Sequence, residues 1–349
     1  MKNLVFGFLV ALLMALGSCS TDVNLYADYK DVAIIYAMID PQLDTNYVKI
    51  VRAFCGSNDN PIDANAVALI ADSSNYPGKL EARFVELKST NGGPFEPTNR
   101  EFELDTITIH NKELGTFYAP DQKLYYTTER FNRDMNGNKY KYRIIVVKPN
   151  GDTLTGLTGM VGSEEFKIAS SHTNFQLAPS IAMGKIMFKA DGEASIYDVR
   201  MQFNYREQHT GQAMERKYVT RSFGTRSIDQ FMVFSEGIYY VEYSVNWLFN
   251  ALENKIGSDT VTDINHPNVV RYIDDIVVSI SAGGHDLYFY YVANQAQLNS
   301  PISLISSYTN IDGGSGLFSS RTTIEKSLSL SASTKRDLFS LRSWGFVQE

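Results

Sequence analysis

The sequence predicts a mainly β protein with some α structure: an immunoglobulin-like β-sandwich at residues 31–162, followed by an α+β or helix-decorated β-sandwich domain at residues 163–349. Segments of strand length are separated by Gly, Pro, Asn and Asp, with no long helical pattern before residue 162. Residues 139–144 (KYKYRI) alternate basic or polar with apolar side chains, which is typical of a half-buried strand. The 21 Tyr, 20 Phe and 2 Trp favour sheets over helical bundles.

In the first region segments of strand length, separated by Gly, Pro, Asn and Asp, predict strands at residues 32–39, 47–54, 80–87, 102–110, 124–131 and 139–147. Asn136-Gly137 precedes the last of these strands and Asn150-Gly151 follows it. Asn-Gly favours the positive φ angles of tight hairpin turns. We therefore expect the last two strands and the one after residue 151 to form a meander.

The second region opens with a strand whose apolar residues occupy every second position: Tyr197, Val199, Met201, Phe203 and Tyr205. Asp191-Gly192 predicts a turn that joins this strand in a hairpin to a strand around Ile186. One face of this hairpin should therefore meet a core and the other should meet water.

Further along, apolar residues recur at a spacing of 3.6 from Ile238 to Ile256, which predicts the longest helix of the chain. Ser235 can cap its start, and Gly257 can take the left-handed position that closes it. A second, shorter helix is expected after Asp286. These helices distinguish the second region from the first.

The N-terminal residues have the order of a lipoprotein signal peptide. Lys2 precedes an apolar run of about 13 residues, which is too short to span a bilayer, since a helix needs roughly 20. Residues 16–19 (LGSC) resemble the bacterial lipobox, whose cysteine receives diacylglycerol before cleavage. We expect residues 1–18 to be removed, Cys19 to be lipidated and residues 19–30 to be a tether. The alternative is a plain secretory signal that ends by chance at a cysteine.

The predicted location is the outer membrane. Several acyl chains on one N-terminal cysteine give stable anchoring, whereas a single chain does not. Ser20 and Asp22 follow the cysteine, which resembles lipoproteins sorted to the outer membrane, some of which reach the cell surface. No later segment has the length and apolarity of a transmembrane helix, so we expect the rest of the chain to lie in water.

Charge and cysteine content exclude several classes of partner and cofactor. The formal net charge is −7 and no basic cluster stands out, so nucleic acid is not expected as a partner. With Cys19 lipidated, Cys55 has no cysteine with which to form a disulfide or a metal site. The five histidines show no HExxH or similar ligand spacing; they stand at 110, 172, 209, 266 and 285. We expect neither a metal ion nor another cofactor.

Three motifs resemble catalytic or metal sites but fit simpler structures better. Residues 313–317 (GGSGL) lack the last glycine of a GxSxG nucleophile elbow, which favours a glycine turn. His285 has no nucleophile beside it in sequence, and Asp286 is expected to cap a helix. Residues 134–138 begin like a calcium loop, but Lys139 and Ile145 stand where glycine and glutamate are needed. We therefore predict no catalytic residue.

Two aromatic clusters are the candidate ligand-binding residues. They comprise Tyr239, Tyr240, Tyr243, Trp247, Tyr288 and Tyr291. Exposed rings could stack on sugars or anchor a protein partner. At helical spacing most of them are instead expected to pack in the core.

Two segments resemble a family of uncharacterised outer-membrane lipoproteins common in Bacteroidetes-type bacteria. They are residues 31–54 (DVAIIYAMIDPQLDTNYVKIVRAF) and residues 308–321 (YTNIDGGSGLFSSR). The resemblance implies a lipid-anchored envelope protein with an immunoglobulin-like N-terminal domain, often encoded near TonB-dependent transporters. It implies no catalytic residues.

Together these features predict a non-catalytic binding or adhesion component of the cell envelope, associated with an outer-membrane transporter system. Its ligand would be an extracellular glycan or protein. One alternative is a hydrolase of envelope or other polysaccharides, whose paired carboxylates a sequence does not reveal. The other is a structural component of the envelope.

Overall fold

The computed structural model describes residues 32–52, 74–110, 121–169, 174–175, 183–244, 246–298 and 308–348. Residues Val32–Glu349 group into one compact unit. The unit is mainly β and sandwich-like with some α structure, which confirms the predicted fold class. No described helix is both long and apolar enough to cross a membrane.

The largest sheet has the strand order β13-β12-β16-β18-β1-β2-β6-β5. These strands are β13 (Glu215–Ser227), β12 (Ala194–His209), β16 (Val269–Gly284), β18 (Ser315–Leu330), β1 (Ala33–Ile39), β2 (Asn46–Arg52), β6 (Gln122–Thr127) and β5 (Asp105–Ile109). Two short strands join beside this path, β10 (Asn174–Phe175) on β18 and β19 (Phe346–Val347) on β16.

Two smaller sheets complete the described strands. The first has the order β17-β8-β7-β3-β4, with β17 (Ile311–Asp312), β8 (Thr153–Gly159), β7 (Asn138–Val147), β3 (Glu81–Thr90) and β4 (Glu96–Glu103). The second has the order β14-β15-β11-β9, with β14 (Met232–Ser235), β15 (Ile238–Ser244), β11 (Met183–Lys189) and β9 (Lys167–Ile168). Helices in the described residues are α1 (Trp247–Ile256), α2 (His285–Leu298) and α3 (Ala332–Ser340).

Strand β18 holds the large sheet together. Its first half pairs parallel with β1, from Ser315 to Ser320, and its second half pairs antiparallel with β16, from Arg321 to Leu328. The first core lies between one half of the large sheet and the five-stranded sheet, and Phe318 of β18 stacks there on Phe84. The second core involves the four-stranded sheet and α1, and β18 supplies Leu328 to it. The predicted domain boundary at residue 162 stays a prediction.

The predicted meander in the first region is wrong in part. Strands β7 and β8 form the expected hairpin around Asn150-Gly151, but β6 pairs with β2 and β5, whereas β7 pairs with β3. The predicted strand 124–131 ends at Thr127, and Phe131 is buried edge-to-face against Phe84 and Tyr142. Phe131 lies in the segment that connects β6 of the large sheet to β7 of the five-stranded sheet.

The predicted strand 102–110 is likewise two strands in two sheets. Strand β4 ends at Glu103 and β5 begins at Asp105. Between them Leu104 is buried, and its N–H donates to the carbonyl of Ala82 at 2.9 Å. Burial of this one side chain between the layers makes the chain change sheets.

The predicted helix from Ile238 to Ile256 is correct only in its second half, α1. Residues 238–244 form β15, so Ser235 is a strand residue and not a cap. β-Branched and aromatic side chains favour the strand here. Val241 is buried, as both a helical period of 3.6 and a strand period of two would predict. Gly257 does end α1 with a positive φ of +53°, but its ψ of −119° differs from the left-handed helical conformation predicted for it.

The other predictions for the second region have mixed outcomes. All five alternating apolar residues of β12 are buried as predicted. The expected hairpin with the strand around Ile186 is wrong, since β11 pairs with β15 and β9 in the opposite sheet. The helix predicted after Asp286 exists as α2, but with 14 residues it is longer than α1, which has 10. Asp286 lies inside its first turn and accepts the Tyr308 hydroxyl at 2.6 Å.

Candidate binding surface

Strands β1, β2, β6 and β5 form one end of the large sheet and carry apolar side chains on both faces. In β1 the inward side chains are small or aliphatic and fully buried, as for Ala33 and Ile35, while Tyr36 between Ile35 and Ala37 points outward and is 43% exposed. In β2, Val48 and Ile50 point inward and Tyr47 is 47% exposed on the outside. A sheet with one face in water normally has polar residues at these outer positions.

The strand register places the outer side chains side by side. Tyr47 lies opposite Tyr126, with ring centroids 6.3 Å apart, and Leu124 lies opposite Ile107. We call the resulting surface the outer apolar platform. It comprises Tyr36, Tyr47, Val51, Ile107, Leu124 and Tyr126.

The platform is mainly apolar, with Lys49, Gln122 and Asp105 at outer positions of its rows. Four strands spaced ~4.8 Å apart and three rows of side chains give this face a total area on the order of 300 Å², of which the apolar side chains cover part. Contiguous exposed apolar side chains are typical of interaction sites. Lys49 lies opposite Tyr36 and its Nζ donates to Gln122 Oε1 at 3.5 Å. This long hydrogen bond is a weak one, so both groups remain available to a partner.

Helix α2 borders the platform. It begins directly after β16 and contacts β12, β16 and β18, and Tyr290 reaches Tyr36 of β1. Partial burial raises the pKa of the Tyr36 hydroxyl, and the hydrogen bond with Tyr290 raises it further. On the same helix Phe289 and Val292 are 40% and 43% exposed. Apolar exposure therefore continues from the sheet onto the helix.

Tyr308 fixes the start of this helix. Its ring centroid is 5.6 Å from that of Phe289, and its hydroxyl donates to Asp286 Oδ1. Burial and this hydrogen bond raise the pKa of Tyr308 well above its ordinary value. The neutral hydroxyl therefore holds the carboxylate at neutral pH.

The predicted ligand-binding aromatics fall in two places. Tyr288 and Tyr291 lie on α2 and are half-buried, and the Tyr291 hydroxyl accepts from Gln295 at 2.6 Å. Of the other four, Tyr243 and Trp247 are buried in the second core, and Tyr239 is partly buried against that core. The Tyr240 ring centroid lies 4.3 Å from Lys185 Nζ. The helix residues alone lie near the platform.

His285 and the Gly-Ser segment have ordinary surroundings. The Ser195 hydroxyl lies 3.2 Å from His285 Nδ1, and Phe289 packs edge-to-face on the imidazole. Within the described ranges no carboxylate contacts this imidazole, so the pair lacks the third group that orients a catalytic histidine. Ser315 begins β18 opposite Ile34, and a Cβ on Gly316 would meet the Ile35 carbonyl at 2.0 Å, so a strand and not an elbow follows the turn.

The segment that resembles a calcium loop is a tight turn. Asn136 and Gly137 have φ angles of +50° and +76°, and Asp134 Oδ1 accepts the Tyr140 N–H at 2.8 Å. Burial raises the pKa of Asp134 to about 6 against one stabilising hydrogen bond. The turn prediction is confirmed, although the turn does not join two paired strands.

Several predicted residues lie outside the described residues. They are the lipidation site Cys19 with the signal peptide and tether, Cys55 and His172. Their roles stay predictions.

The platform was not among the predicted sites, although its sequence carries a signal. Residues 33–39 (AIIYAMI) are apolar at both odd and even positions, whereas β12 alternates apolar with polar residues. Apolar residues on both faces of a strand at the end of a largely antiparallel sheet indicate either a covering layer or an exposed binding face.

These features define a mainly β, sandwich-like protein with an exposed apolar platform at one end of its largest sheet. No protein-family model matches the chain, and no curated protein sequence matches it. The resemblance to uncharacterised lipoproteins of Bacteroidetes-type bacteria therefore stays a prediction.

Proposed function

We propose that this chain is a non-catalytic binding protein of the bacterial envelope, anchored through lipid on Cys19, and that the outer apolar platform docks a protein partner. The observation that carries the proposal is the row of exposed side chains, with Tyr36, Tyr47 and Ile107 each more than two-fifths exposed. Covering these side chains removes apolar surface from water, which favours association.

The chemistry of the platform favours a protein over a glycan. Sugar-binding surfaces need aromatic rings with hydrogen-bonding groups beside them. Here Lys49 and Gln122 are polar groups beside the rings. Aliphatic side chains such as Val51, Ile107 and Leu124 are as numerous as the tyrosines, however, and form no hydrogen bond with a sugar hydroxyl. Aromatic and aliphatic side chains with a polar rim are the ordinary composition of a protein interface. The resemblance suggests a component of an outer-membrane transporter system as the partner.

Photo-crosslinking tests the platform. A photoreactive phenylalanine replaces Tyr47 or Ile107 in the full chain, and the control replaces Tyr218, which is 59% exposed on β13 of the same sheet. We expect the same envelope protein to be crosslinked from both platform positions and not from position 218. Purified, that protein should bind the Tyr47→Ser variant at least ~10-fold more weakly, a loss of ~1.4 kcal/mol.

Two results would contradict the platform proposal. One is equal crosslinking from positions 47 and 218, which would show nonspecific contact. The other is retention of the chain on immobilised polysaccharide that Tyr47→Ser abolishes, which would assign the face to a glycan instead.

The anchor has an independent test. Cys19→Ala should abolish labelling by a radioactive fatty acid and leave an uncleaved or soluble product, because the thiol is the acceptor of the lipid. Labelling that persists in this variant would refute the anchor. Protease added to intact cells then distinguishes display on the cell surface, where the protein is degraded, from a location on the inner side of the outer membrane, where it is protected.

A further inference from the structure

A histidine and two carboxylates converge at the far end of the large sheet from the platform. Glu207 and His209 stand two residues apart near the end of β12 and therefore share one face of the strand. Asp259 follows α1, where Gly257 turns the chain back toward the sheet. The three residues come from segments about 50 residues apart, so the fold, and not local spacing, brings them together.

The atoms of this cluster have the spacing of metal ligands. His209 Nε2 lies 3.4 Å from Glu207 Oε1 and 3.4 Å from Asp259 Oδ2, and all three atoms lie within 4.8 Å of one another. Zinc binds such nitrogen and oxygen atoms at ~2.1 Å, which in a tetrahedron places two ligands ~3.4 Å apart. The two distances from His209 Nε2 match this spacing.

Arg271 orients both carboxylates from behind. It is fully buried, and its Nε and Nη2 donate to Glu207 Oε2 and Asp259 Oδ2, each at 2.7 Å. On Glu207 the arginine uses the oxygen that does not face His209, and on Asp259 it uses one of two lone pairs. Fixed carboxylates of this kind are typical of the groups that surround metal ligands.

The local charges leave room for one more cation. Three carboxylates lie in the network, those of Glu207, Asp259 and Glu215, against two permanent cations, Arg271 and Lys217. Lys217 is bonded to Glu215 at 2.6 Å and stands 4.0 Å from Glu207 Oε1. With a neutral imidazole the network carries one excess negative charge. A metal ion would balance it.

An ion could reach this cluster from solvent. The side chains of His209 and Asp259 are 35% and 38% exposed, whereas that of Glu207 is 9% exposed. Water can therefore complete the coordination. One imidazole with carboxylates suits zinc and neighbouring transition metals better than calcium or magnesium, which prefer oxygen ligands alone.

We propose that Glu207, His209 and Asp259 bind one divalent transition-metal ion of the zinc type. The ion links the end of β12 to the segment that follows α1. Arg271 also donates to the Trp344 carbonyl at 2.8 Å, so the same network reaches the C-terminal segment. The site and Arg271 therefore connect three segments at this end of the second core: the end of β12, the residues after α1 and the C-terminal segment.

Titration calorimetry with zinc chloride tests the site, using chelator-treated protein without a polyhistidine tag. We expect one equivalent to bind with a Kd of roughly 10 µM or tighter, and zinc to raise the unfolding temperature. His209→Ala and Asp259→Asn should each weaken binding at least ~10-fold, because each removes or weakens one ligand. The matched control is His266→Ala, since His266 is an exposed histidine 3.3 Å from Asp263 and should bind no zinc by itself.

Two outcomes would overturn the proposal. One is the absence of binding by the unaltered protein at about 100 µM zinc. The other is equal zinc binding by His209→Ala and His266→Ala. The visible spectrum of the unaltered protein with Co²⁺ tests the site without any variant. Four-coordinate nitrogen and oxygen ligands give intense bands, and the weak spectrum of aqueous Co²⁺ would contradict the proposal.

Discussion

The two ends of the large sheet have similar inner faces and opposite outer faces. Across β12, β16 and β18 the outer side chains form a polar ladder: Gln202 donates to Asn204 at 2.8 Å, Asn204 donates to Asp275 at 2.8 Å, and Ser327 also donates to Asp275. Across β1, β2, β5 and β6 the outer face is the apolar platform. One sheet thus meets water in two ways.

This difference distinguishes the side chains that stabilise the fold from those that are exposed to a partner. The ladder satisfies its own hydrogen-bonding groups, so it needs no partner beyond water. The platform exposes aromatic and aliphatic groups that gain free energy only when another surface covers them. Inner alternation is shared by both ends and accounts for the fold, whereas outer composition differs and indicates where binding occurs.

The largest expected effect comes from emptying an inner position at either end. Ile280 is fully buried in β16, and Ile280→Ala should lower the free energy of unfolding by ~2–5 kcal/mol through lost burial and a cavity. The matched control is Ile107→Ala, the same substitution at a platform residue that is 43% exposed, with an expected loss under ~1 kcal/mol. Urea unfolding measures both. Equal losses would show that the platform is covered in the folded protein.

The inner faces could be predicted from the sequence because alternation fixes them residue by residue. Tyr197, Phe203 and Tyr205 are buried as the period of two requires. The sheet to which each strand belongs could not be predicted. The chain passes from one sheet to the other near the buried residues Leu104 and Phe131, and a single buried side chain leaves no periodic signal. Val241 is buried under a period of 3.6 or of two, so β15 resembled the start of a helix.

The candidate sites were harder still to predict. Tyr36 and Tyr47 form one surface only because β1 and β2 pair. The sequences of these two strands do not indicate which face of the sheet the rest of the protein covers. The zinc-type site joins His209 to Asp259 across 50 residues, so no short ligand motif announces it. Local patterns predict strands and turns, whereas sites made by register and by tertiary contact need the fold.

A smaller effect is expected from breaking the polar ladder. Asn204→Ala removes the donor to Asp275 and the acceptor for Gln202, and should cost ~1 kcal/mol because solvent replaces part of both bonds. Thr220→Ala is the control, since Thr220 lies opposite Gln202 and is exposed. If both variants unfold at the same urea concentration, the ladder does not stabilise this end of the sheet.

The stability of the protein should depend on pH through Asp134, in the turn before β7. The carboxylate faces the charges of Glu193 and Asp191, and burial raises its pKa to about 6 from 3.8 in the unfolded chain. The folded protein therefore binds the extra proton between these values, so the free energy of unfolding should fall as pH rises from about 4 to about 6. The loss should persist above that range.

Asp134→Asn should remove this dependence while keeping the hydrogen bond from Tyr140, since the amide oxygen still accepts. At pH 7.5 the variant should be more stable than the unaltered protein by ~1 kcal/mol, because partial exposure reduces the full effect of the pKa difference. At pH 4 the two should be alike. Parallel stability curves across this range would exclude Asp134 as the titrating group.

The smallest effect on stability is expected where the proposed effect on binding is largest. Tyr47→Ser should change the free energy of unfolding by less than ~0.5 kcal/mol, because almost half of the ring is in water and its packing partner, Tyr126, stays in place. Tyr218→Ser, on the outer face at the other end of the sheet, should be equally mild. Only the first should weaken the docking of the protein partner. A Tyr47 variant that loses stability would mean that the ring is retained for folding, and the contrast between the two outer faces would then say nothing about function.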